Sequence, residues 1–527
     1  MNYKLFLKKA QAYWTLIYFG VMLGFFPIYY KYQYDGMGDA KYEIFKNATL
    51  IYVVGGLLLF LIYRLLEGRK CIVTNLDKAV AVYFLVVAEA YLLSPYKEKA
   101  FVGAAGWNMG FLTTLLLIVS FFLISNGDWQ QYKNKHVLTI GLGLILISSV
   151  VVYIVAILHR FDVDLFHIYG DVDPKYKVWF LSTIGQSSWY SSFLCTVWPL
   201  GVYLFYIEEK AKRRILYGGY LCLGAMSLVT QNTDTAYLSL GIVIILLFLM
   251  CQNDTNGVKR FLETLILILG SFKLIGIFQT VFDERMIPIE QLSIQMSKGS
   301  MTTLLFVGFV LLYVFLYIKT RTRRVVADKV QKLLESKIIA RVVVGMLLLS
   351  SIAVVLLIIL NTTGWLYEVF GIRLTHNYLF FDDFWGNMRG FSWRMSWNCF
   401  QELPLIRKII GVGPDCFSSY YHSMPLYNDQ IEAFFGGQIL TNAHNEYLTK
   451  LINVGILGLC SYLSVMFVAI CQFEKKRHKT PILGAFILVI GSYMAHNIFC
   501  YEQVCCTPIF FILIAIGNKF SYNDILE

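Results

Sequence analysis

The stretch AHNEYLTKLINVGILG, residues 443–458, combines a proton-accepting side chain with glycines at helical spacing. His444 stands at the start of a long apolar run, where an imidazole can titrate near neutrality and accept a proton. Gly455 and Gly458 follow after about three and four helical turns, so a helix through this stretch would carry all three residues on nearly one face. Glycines there would let another helix or a lipid chain approach closely. The pattern fits either a structural histidine at a membrane interface or a general base.

A second group of candidate residues precedes this stretch, in NMRGFSWRMSWNCFQELPLIRKIIGVGPDCFSSYY, residues 387–421. Arg389 and Arg394 are unusual in so aromatic a setting, and the planar guanidinium group suits phosphate oxygens. Residues 391–403 have the pattern of an interfacial helix with Arg394 and Trp397 on one side, and Trp can lie against lipid or sugar. The alternative is an amphipathic helix whose arginines reach lipid headgroups.

The Gly-x-Gly-Pro sequence at residues 411–414 predicts a tight turn. A complete GxGxxG between a strand and a helix would indicate a phosphate-binding loop, but neither the full motif nor that context is present. We therefore expect the turn to pack the loop that contains it.

Other polar residues are second choices for the same site. His496 repeats the Ala-His-Asn sequence near the end of the next apolar segment. Lys450 lies six residues after His444 and is predicted to extend to the membrane surface, whereas Lys273 is deeper and would need a partner. Asp234, in the short turn QNTDTAY, is a further candidate for the lining of the cavity.

Composition places these residues in a membrane protein. The 527 residues are 57% hydrophobic and 15% charged, and the mean hydropathy is +0.60, which is typical of an integral membrane protein. The net charge of +11 then reflects basic cytoplasmic loops, so we expect no nucleic-acid partner. The 11 cysteines show neither CxxC pairs nor Cys/His ligand spacing. We expect no metal site and no cofactor.

Apolar segments of spanning length recur along the whole chain. They predict an all-α polytopic protein, a single transmembrane domain over residues 1–527 with about 12–14 transmembrane helices. The segments lie near residues 12–30, 48–66, 78–95, 109–125, 137–158, 188–207, 214–231, 234–251, 260–279, 301–318, 341–360, 446–472, 481–499 and 505–518.

The distribution of basic residues predicts the orientation. With the N-terminus inside, the loops on its side carry most of the Lys and Arg residues, as the positive-inside rule requires. Both termini are then cytoplasmic, and residues 319–341 form a basic cytoplasmic loop. Residues 361–443 form a long external loop, which we expect to be helical and to carry part of the active site.

The motifs resemble those of a known family. His444-Asn445, nine further residues and Gly455-x-x-Gly458 resemble the His-(Asn/Ser/Gln)-x9-Gly-x-x-Gly signature of the O-antigen ligase family, which includes related polysaccharide polymerases. Residues 394–417 resemble the arginine, tryptophan, proline and Gly-x-Gly-Pro-x-x-Phe segment of that family. The matching positions are Arg394, Trp397, Pro404, Gly411, Gly413 and Phe417.

The resemblance implies an inverting, metal-independent enzyme of the polytopic GT-C-type glycosyltransferase fold. It would transfer an oligo- or polysaccharide from undecaprenyl diphosphate to an acceptor hydroxyl of a glycan or glycolipid, at the outer face of the bacterial cytoplasmic membrane. His444 takes the position of the general base and Arg394 that of the diphosphate contact, to which we add Arg389 for its proximity. The supporting positions are Asn445, Trp397, Gly455 and Gly458.

The sequence departs from the family at two places. In GAAGWNMG, residues 103–110, Trp107 stands where the family often has an arginine, and NTDTAY, residues 232–237, lacks the basic residue of a second family turn. Two positive contacts to the diphosphate are therefore missing. Other basic residues, among them Arg389 and Lys450, are candidates to replace them.

Two alternatives to a ligase stay open. A repeat-unit polymerase of the same family differs only in its acceptor. A transporter or flippase for the lipid-linked sugar would also have many spans, but transporters often show two matching halves, which this chain lacks.

Overall fold

The computed structural model describes residues 3–34, 36–67, 73–127, 135–251, 255–322, 338–437 and 439–522. Helices make up nearly all of the regular structure in these ranges, which confirms the all-α prediction. The strands described are one short antiparallel pair, β1 (Phe180–Leu181) and β2 (Gly185–Gln186). The middle of the predicted basic loop 319–341, residues 323–337, lies outside the described residues.

The α-helices fall into a first group of long apolar helices and a second group of mostly short helices that form the loop before residue 444. In chain order they are α1 (Tyr3–Phe19, continued by a π-helical turn, Gly20–Phe25), α2 (Met37–Glu67), α3 (Asn75–Leu93), α4 (Lys97–Val102), α5 (Phe111–Asn126), α6 (Lys135–Arg160), α7 (Ser187–Ile207), α8 (Ala211–Thr230), α9 (Thr235–Cys251), α10 (Thr255–Val281), α11 (Gln291–Lys298), α12 (Ser300–Thr322), α13 (Ile338–Thr362), α14 (Trp365–Phe370), α15 (Trp385–Glu402), α16 (Leu405–Ile410), α17 (Phe417–His422), α18 (Pro425–Phe435), α19 (Glu446–Asn453), α20 (Gly455–Arg477), α21 (Leu483–His496) and α22 (Thr507–Tyr522). Short 3₁₀ helices lie at Pro174–Trp179, Asp283–Arg285 and Asn377–Leu379.

Every predicted spanning segment contains a helix. Among the described residues, 7 helices are long and apolar enough to cross a membrane, namely α2, α6, α7, α10, α12, α13 and α20. Four shorter apolar helices accompany them, α5, α9, α21 and α22. The chain is therefore a polytopic membrane protein, as predicted.

The core of the bundle lies around α7. This helix has 94% of its most apolar window buried, and it packs against α8, α9 and α21. Helices α12 and α13 are the opposite case, with 6% and 0% of the corresponding windows buried. Apolar helices exposed in this way need a lipid environment, because no protein surface covers their side chains.

The helix that we predicted over residues 446–472 is broken. Helix α19 ends at Asn453 and α20 begins at Gly455, whose φ is +68°. His444 precedes α19 and itself has a φ of +50°. The prediction that His444, Gly455 and Gly458 share one helix face is therefore wrong, because the backbone leaves the helical conformation between them.

The Gly-x-Gly-Pro turn closes this break. The N–H groups of Val412 and Gly413 donate to the carbonyl oxygens of Ile452 and Asn453, at 3.0 and 2.8 Å. The last carbonyls of a helix have no partner within it, so the loop supplies the donors that α19 lacks. The prediction of a turn that packs the loop is confirmed.

Glycines allow the two backbones to come this close. A Cβ atom on Gly411, which has a φ of +80°, would lie 2.3 Å from the carbonyl oxygen of Asn453. A Cβ atom on Gly455 would lie 2.2 Å from the carbonyl oxygen of Ile409. Both positions also have the positive φ that glycine adopts at little cost. Gly455 thus allows the close backbone approach that its motif predicts, and the segment that approaches it is the short helix α16.

The other side of the turn is held by the segment that follows α3. Ser94 donates through Oγ to the carbonyl oxygen of Val412 at 2.6 Å. The carboxylate of Asp415 accepts from the N–H groups of Ala104 and Met109 at 2.8 and 3.0 Å. The turn therefore links residues 94–109 to the broken helix.

The two lysines within apolar segments have partners. Lys273 donates to the carbonyl oxygen of Gly299 at 2.6 Å. Lys450 lies 2.6 Å from the carboxylate of Glu502, and its side chain is only 12% exposed. The prediction that Lys450 reaches the membrane surface is wrong, because an internal carboxylate neutralises it.

We predict that Gly455→Ala destabilises the protein by about 1–3 kcal/mol, because alanine is strained at a positive φ and its Cβ would overlap a backbone carbonyl. The melting temperature of the purified protein in detergent should fall. The matched control is Gly143→Ala in α6, where an added Cβ meets no atom within 4 Å. Equal melting temperatures for the two variants would contradict this account of the turn.

Candidate active site

His444 is held in a left-handed turn immediately before α19. Its N–H donates to Oδ1 of Asn442 at 2.9 Å. The next residue, Asn445, caps α19 by accepting from the N–H of Leu448 at 3.0 Å. A side-chain cap of this kind fixes where the helix begins, so Asn445 sets the position of the neighbouring His444.

The imidazole of His444 is free to accept a proton. Its ring lies edge-on to Tyr501, with 5.3 Å between the ring centroids, and it keeps part of its surface exposed. Among the described residues, no side chain or backbone group forms a hydrogen bond with either ring nitrogen of His444. Burial and the positive charge of Arg389 lower the pKa of His444 to about 3. The ring is thus neutral at physiological pH, which is the state that a general base needs.

Arg389 is the arginine whose charge reaches His444. Its Nη1 donates to the carbonyl oxygen of Gly386 at 2.6 Å, and its Nε donates to that of Phe499 at 3.2 Å. The preceding residues, Gly386 to Met388, all have left-handed backbone. Non-glycine residues in that conformation are strained. Two of them, Asn387 and Met388, directly precede Arg389.

Arg394 and Trp397 lie on the exposed side of α15, as the amphipathic pattern predicts. The guanidinium of Arg394 binds both carboxylate oxygens of Asp383, at 2.8 and 2.7 Å. It is 43% exposed, and Trp397 is 47% exposed and packs beside Phe400. In the described part of the chain, neither residue contacts His444.

His496 lies close to the same site but is engaged by hydroxyl groups. Its Nε2 is 2.8 Å from Oγ of Ser191 and 3.3 Å from Oγ1 of Thr235, and the residue is 1% exposed. The positive charge of Arg389 reaches His496 as well as His444. The two Ala-His-Asn segments are adjacent, because the N–H of Glu446 donates to the carbonyl oxygen of Asn497 at 3.0 Å.

Two buried glutamates complete this region. Glu446 accepts from the N–H of Glu502 at 2.6 Å, and Lys450 lies between the two carboxylates. Sequence reasoning missed both as site residues. Glu446 follows the motif directly and has the spacing of an i, i+4 ion pair with Lys450, whereas no local pattern marks Glu502.

Asp234, in the turn at residues 232–237, lies next to the carboxyl group of Glu290. Asp234 accepts from the hydroxyl of Tyr378 at 2.5 Å. Burial and the negative charge of Asp234 raise the pKa of Glu290 to about 7. The positive charge of Arg389 opposes this rise. The placement of Asp234 in the lining of the site stays a prediction.

Gly458 does not line the site. It is buried in α20, and a Cβ there would meet the side chain of Val454, which lies between α19 and α20. Its role in the structure is therefore the packing of the broken helix.

We predict that His444 shows no titration between about pH 5 and pH 8, because its neutral form already dominates there. The measurement is the rate at which diethylpyrocarbonate modifies His444, followed by mass spectrometry. Arg389→Gln removes a repulsive positive charge, so the pKa of His444 rises and the modification slows at the acid end of the range.

The control for this measurement is Arg373→Gln, which alters an exposed arginine of the same loop. In the wild-type protein, a modification rate with a titration midpoint near pH 6.5 would show that the imidazole is solvated. That result would contradict the burial of His444.

The comparisons with known proteins agree with the motifs. Residues 292–463 match the model of the family described as O-antigen ligase. The match contains Arg389, Arg394, the turn at 411–414 and His444. A search of curated proteins returned no match. Over residues 292–463, about a third of its length, the chain is thus similar to the O-antigen ligase family.

Proposed function

We propose that the protein transfers an oligo- or polysaccharide from undecaprenyl diphosphate to an acceptor hydroxyl, with His444 as the general base. The family match indicates a glycan-processing membrane enzyme of ligase or polymerase type. The observation that carries the finer proposal is the neutral His444 imidazole, which has no hydrogen bond among the described residues and lies in the field of Arg389.

The proposed reaction is a single inverting displacement. His444 accepts the proton of the acceptor hydroxyl as its oxygen forms a bond to the anomeric carbon of the donor. The bond between that carbon and the phosphate oxygen breaks, and undecaprenyl diphosphate leaves with the electron pair. The imidazolium then releases its proton to water. Every atom that moves belongs to donor, acceptor, His444 or water.

Arg389 supports the proposal as the contact for the leaving diphosphate. Guanidinium groups bind phosphate oxygens with charge-assisted hydrogen bonds. A diphosphate beside Arg389 would cancel part of the positive charge that disfavours the imidazolium. The donor would thereby raise the proton affinity of His444 in the loaded enzyme, where the base is used.

Arg394 is proposed as an outer contact. Its guanidinium is paired with Asp383, so it can reach a phosphate only by exchanging that carboxylate. This places Arg389 ahead of Arg394 in the binding of the donor, which reverses the order that the motif implies.

We also propose that the site faces the outer side of the bacterial cytoplasmic membrane, with both termini in the cytoplasm. The excess of Lys and Arg in alternate loops supports this orientation. The acceptor distinguishes the two activities of the family. A distinct glycolipid or glycan makes the enzyme a ligase, and a second copy of the donor makes it a repeat-unit polymerase.

The first test uses His444→Asn, because asparagine tolerates a positive φ but cannot act as a base. We expect release of undecaprenyl diphosphate from the lipid-linked glycan of the native host to fall at least a hundredfold. Binding of the donor should persist. Turnover at the wild-type rate would remove His444 from the mechanism, and a ladder of products with the wild type would identify a polymerase.

The second test compares Arg389→Gln with Arg394→Gln. A lost charge-assisted hydrogen bond in a partly buried site lowers affinity about tenfold or more, so the KM for the donor should rise most in Arg389→Gln. A larger rise in Arg394→Gln would mean that Arg394 is the principal contact and that its pairing with Asp383 breaks when the donor binds.

A further inference from the structure

A narrow polar pocket opens beside Tyr501, the residue whose ring meets the His444 imidazole. It lies on the side of His444 where the turn at 411–414 joins the broken helix. We call it the Trp107 pocket, after the residue that stands in place of a family arginine. Its principal lining residues are Trp107, Asp415, Glu446, Asn453, Tyr501 and Glu502.

Two polar groups in this pocket have no partner among the described residues. Oδ1 of Asn453 is a buried acceptor, in a residue that is only 6% exposed. The indole N–H of Trp107 is a buried donor, in a ring that lies beside that of Tyr501. Buried polar groups without partners are costly. A hydroxyl group both donates and accepts, so one ligand hydroxyl can satisfy one group of each kind.

Acidic groups outnumber basic groups in the pocket. Three carboxyl groups, those of Asp415, Glu446 and Glu502, face one ammonium group, that of Lys450. A diphosphate would be repelled there, because like charges are costly at short range. The donor's diphosphate therefore belongs on the side of Arg389, and an uncharged molecule belongs in the pocket.

Two aromatic rings border the pocket. Trp107 and Tyr501 lie with 6.3 Å between their centroids, and Tyr501 adjoins His444. Aromatic rings beside hydrogen-bonding groups can cover the C–H faces of a sugar while its hydroxyls reach the polar atoms.

We propose that the Trp107 pocket binds a hydroxyl-bearing edge of an uncharged acceptor sugar and holds the neighbouring hydroxyl at His444. This inference rests on the proposed function, which makes the bound sugar the acceptor of the transfer reaction. It adds that the pocket selects against anionic acceptor sugars such as uronic acids.

The test is saturation-transfer NMR on the full-length protein in detergent, without donor. The probes are the methyl glycosides of glucose, galactose, rhamnose and N-acetylglucosamine, with methyl glucuronide as the anionic member. We expect at least one uncharged glycoside to receive saturation, and methyl glucuronide to receive less. Trp107→Phe and Asn453→Leu should each reduce the signal about fivefold, which is the effect of one lost hydrogen bond.

Trp179→Phe is the matched control, because Trp179 is 54% exposed and packs on Tyr176 outside the pocket. Melting temperatures show whether each variant is folded. The proposal is overturned if no uncharged glycoside binds, if neither pocket variant weakens binding, or if methyl glucuronide binds as well as the others. Failure of the wild type to release undecaprenyl diphosphate in the transfer assay would reject the proposed function instead, since sugar binding is measured independently of transfer.

Discussion

The backbone pairing between the turn at 411–413 and the end of α19 is the constraint on which the site depends. It satisfies the free carbonyls of Ile452 and Asn453 and so allows a membrane helix to break where it meets the loop. Non-helical backbone at membrane depth is tolerated only where protein covers it. Because the break separates α19 from α20, the short helix and the turn before it can hold His444 independently of the long helix below.

Charged groups of both signs lie near His444. Arg389 is held by two backbone carbonyls, and the carboxylates of Glu446 and Glu502 are neutralised in part by Lys450. The proposed reaction brings an anionic leaving group and a neutral hydroxyl to one base. Arg389 attracts the anionic leaving group and the carboxylates repel it, so charge distinguishes the two substrates.

Much of this could be predicted from the sequence, and the exceptions have physical causes. Hydropathy and length predicted segments that each contain a helix, since a bilayer demands long apolar runs, and the glycine spacing indicated a close backbone approach. The break at Gly455 was missed because the carbonyls it frees are satisfied by a turn some forty residues earlier, a long-range pairing that periodicity does not report. The same limit applies to Glu502, which comes near Glu446 and Lys450 only through the fold.

The most direct measurement of the central claim is chemical rescue of the base. Glycine tolerates the positive φ of residue 444, so His444→Gly should leave the fold intact and open a space the size of an imidazole ring. If His444 accepts the proton of the acceptor, added imidazole will restore release of undecaprenyl diphosphate in this variant, in proportion to the concentration of its neutral form. A folded, donor-binding His444→Gly protein that imidazole does not rescue, or that needs no rescue, would contradict the account.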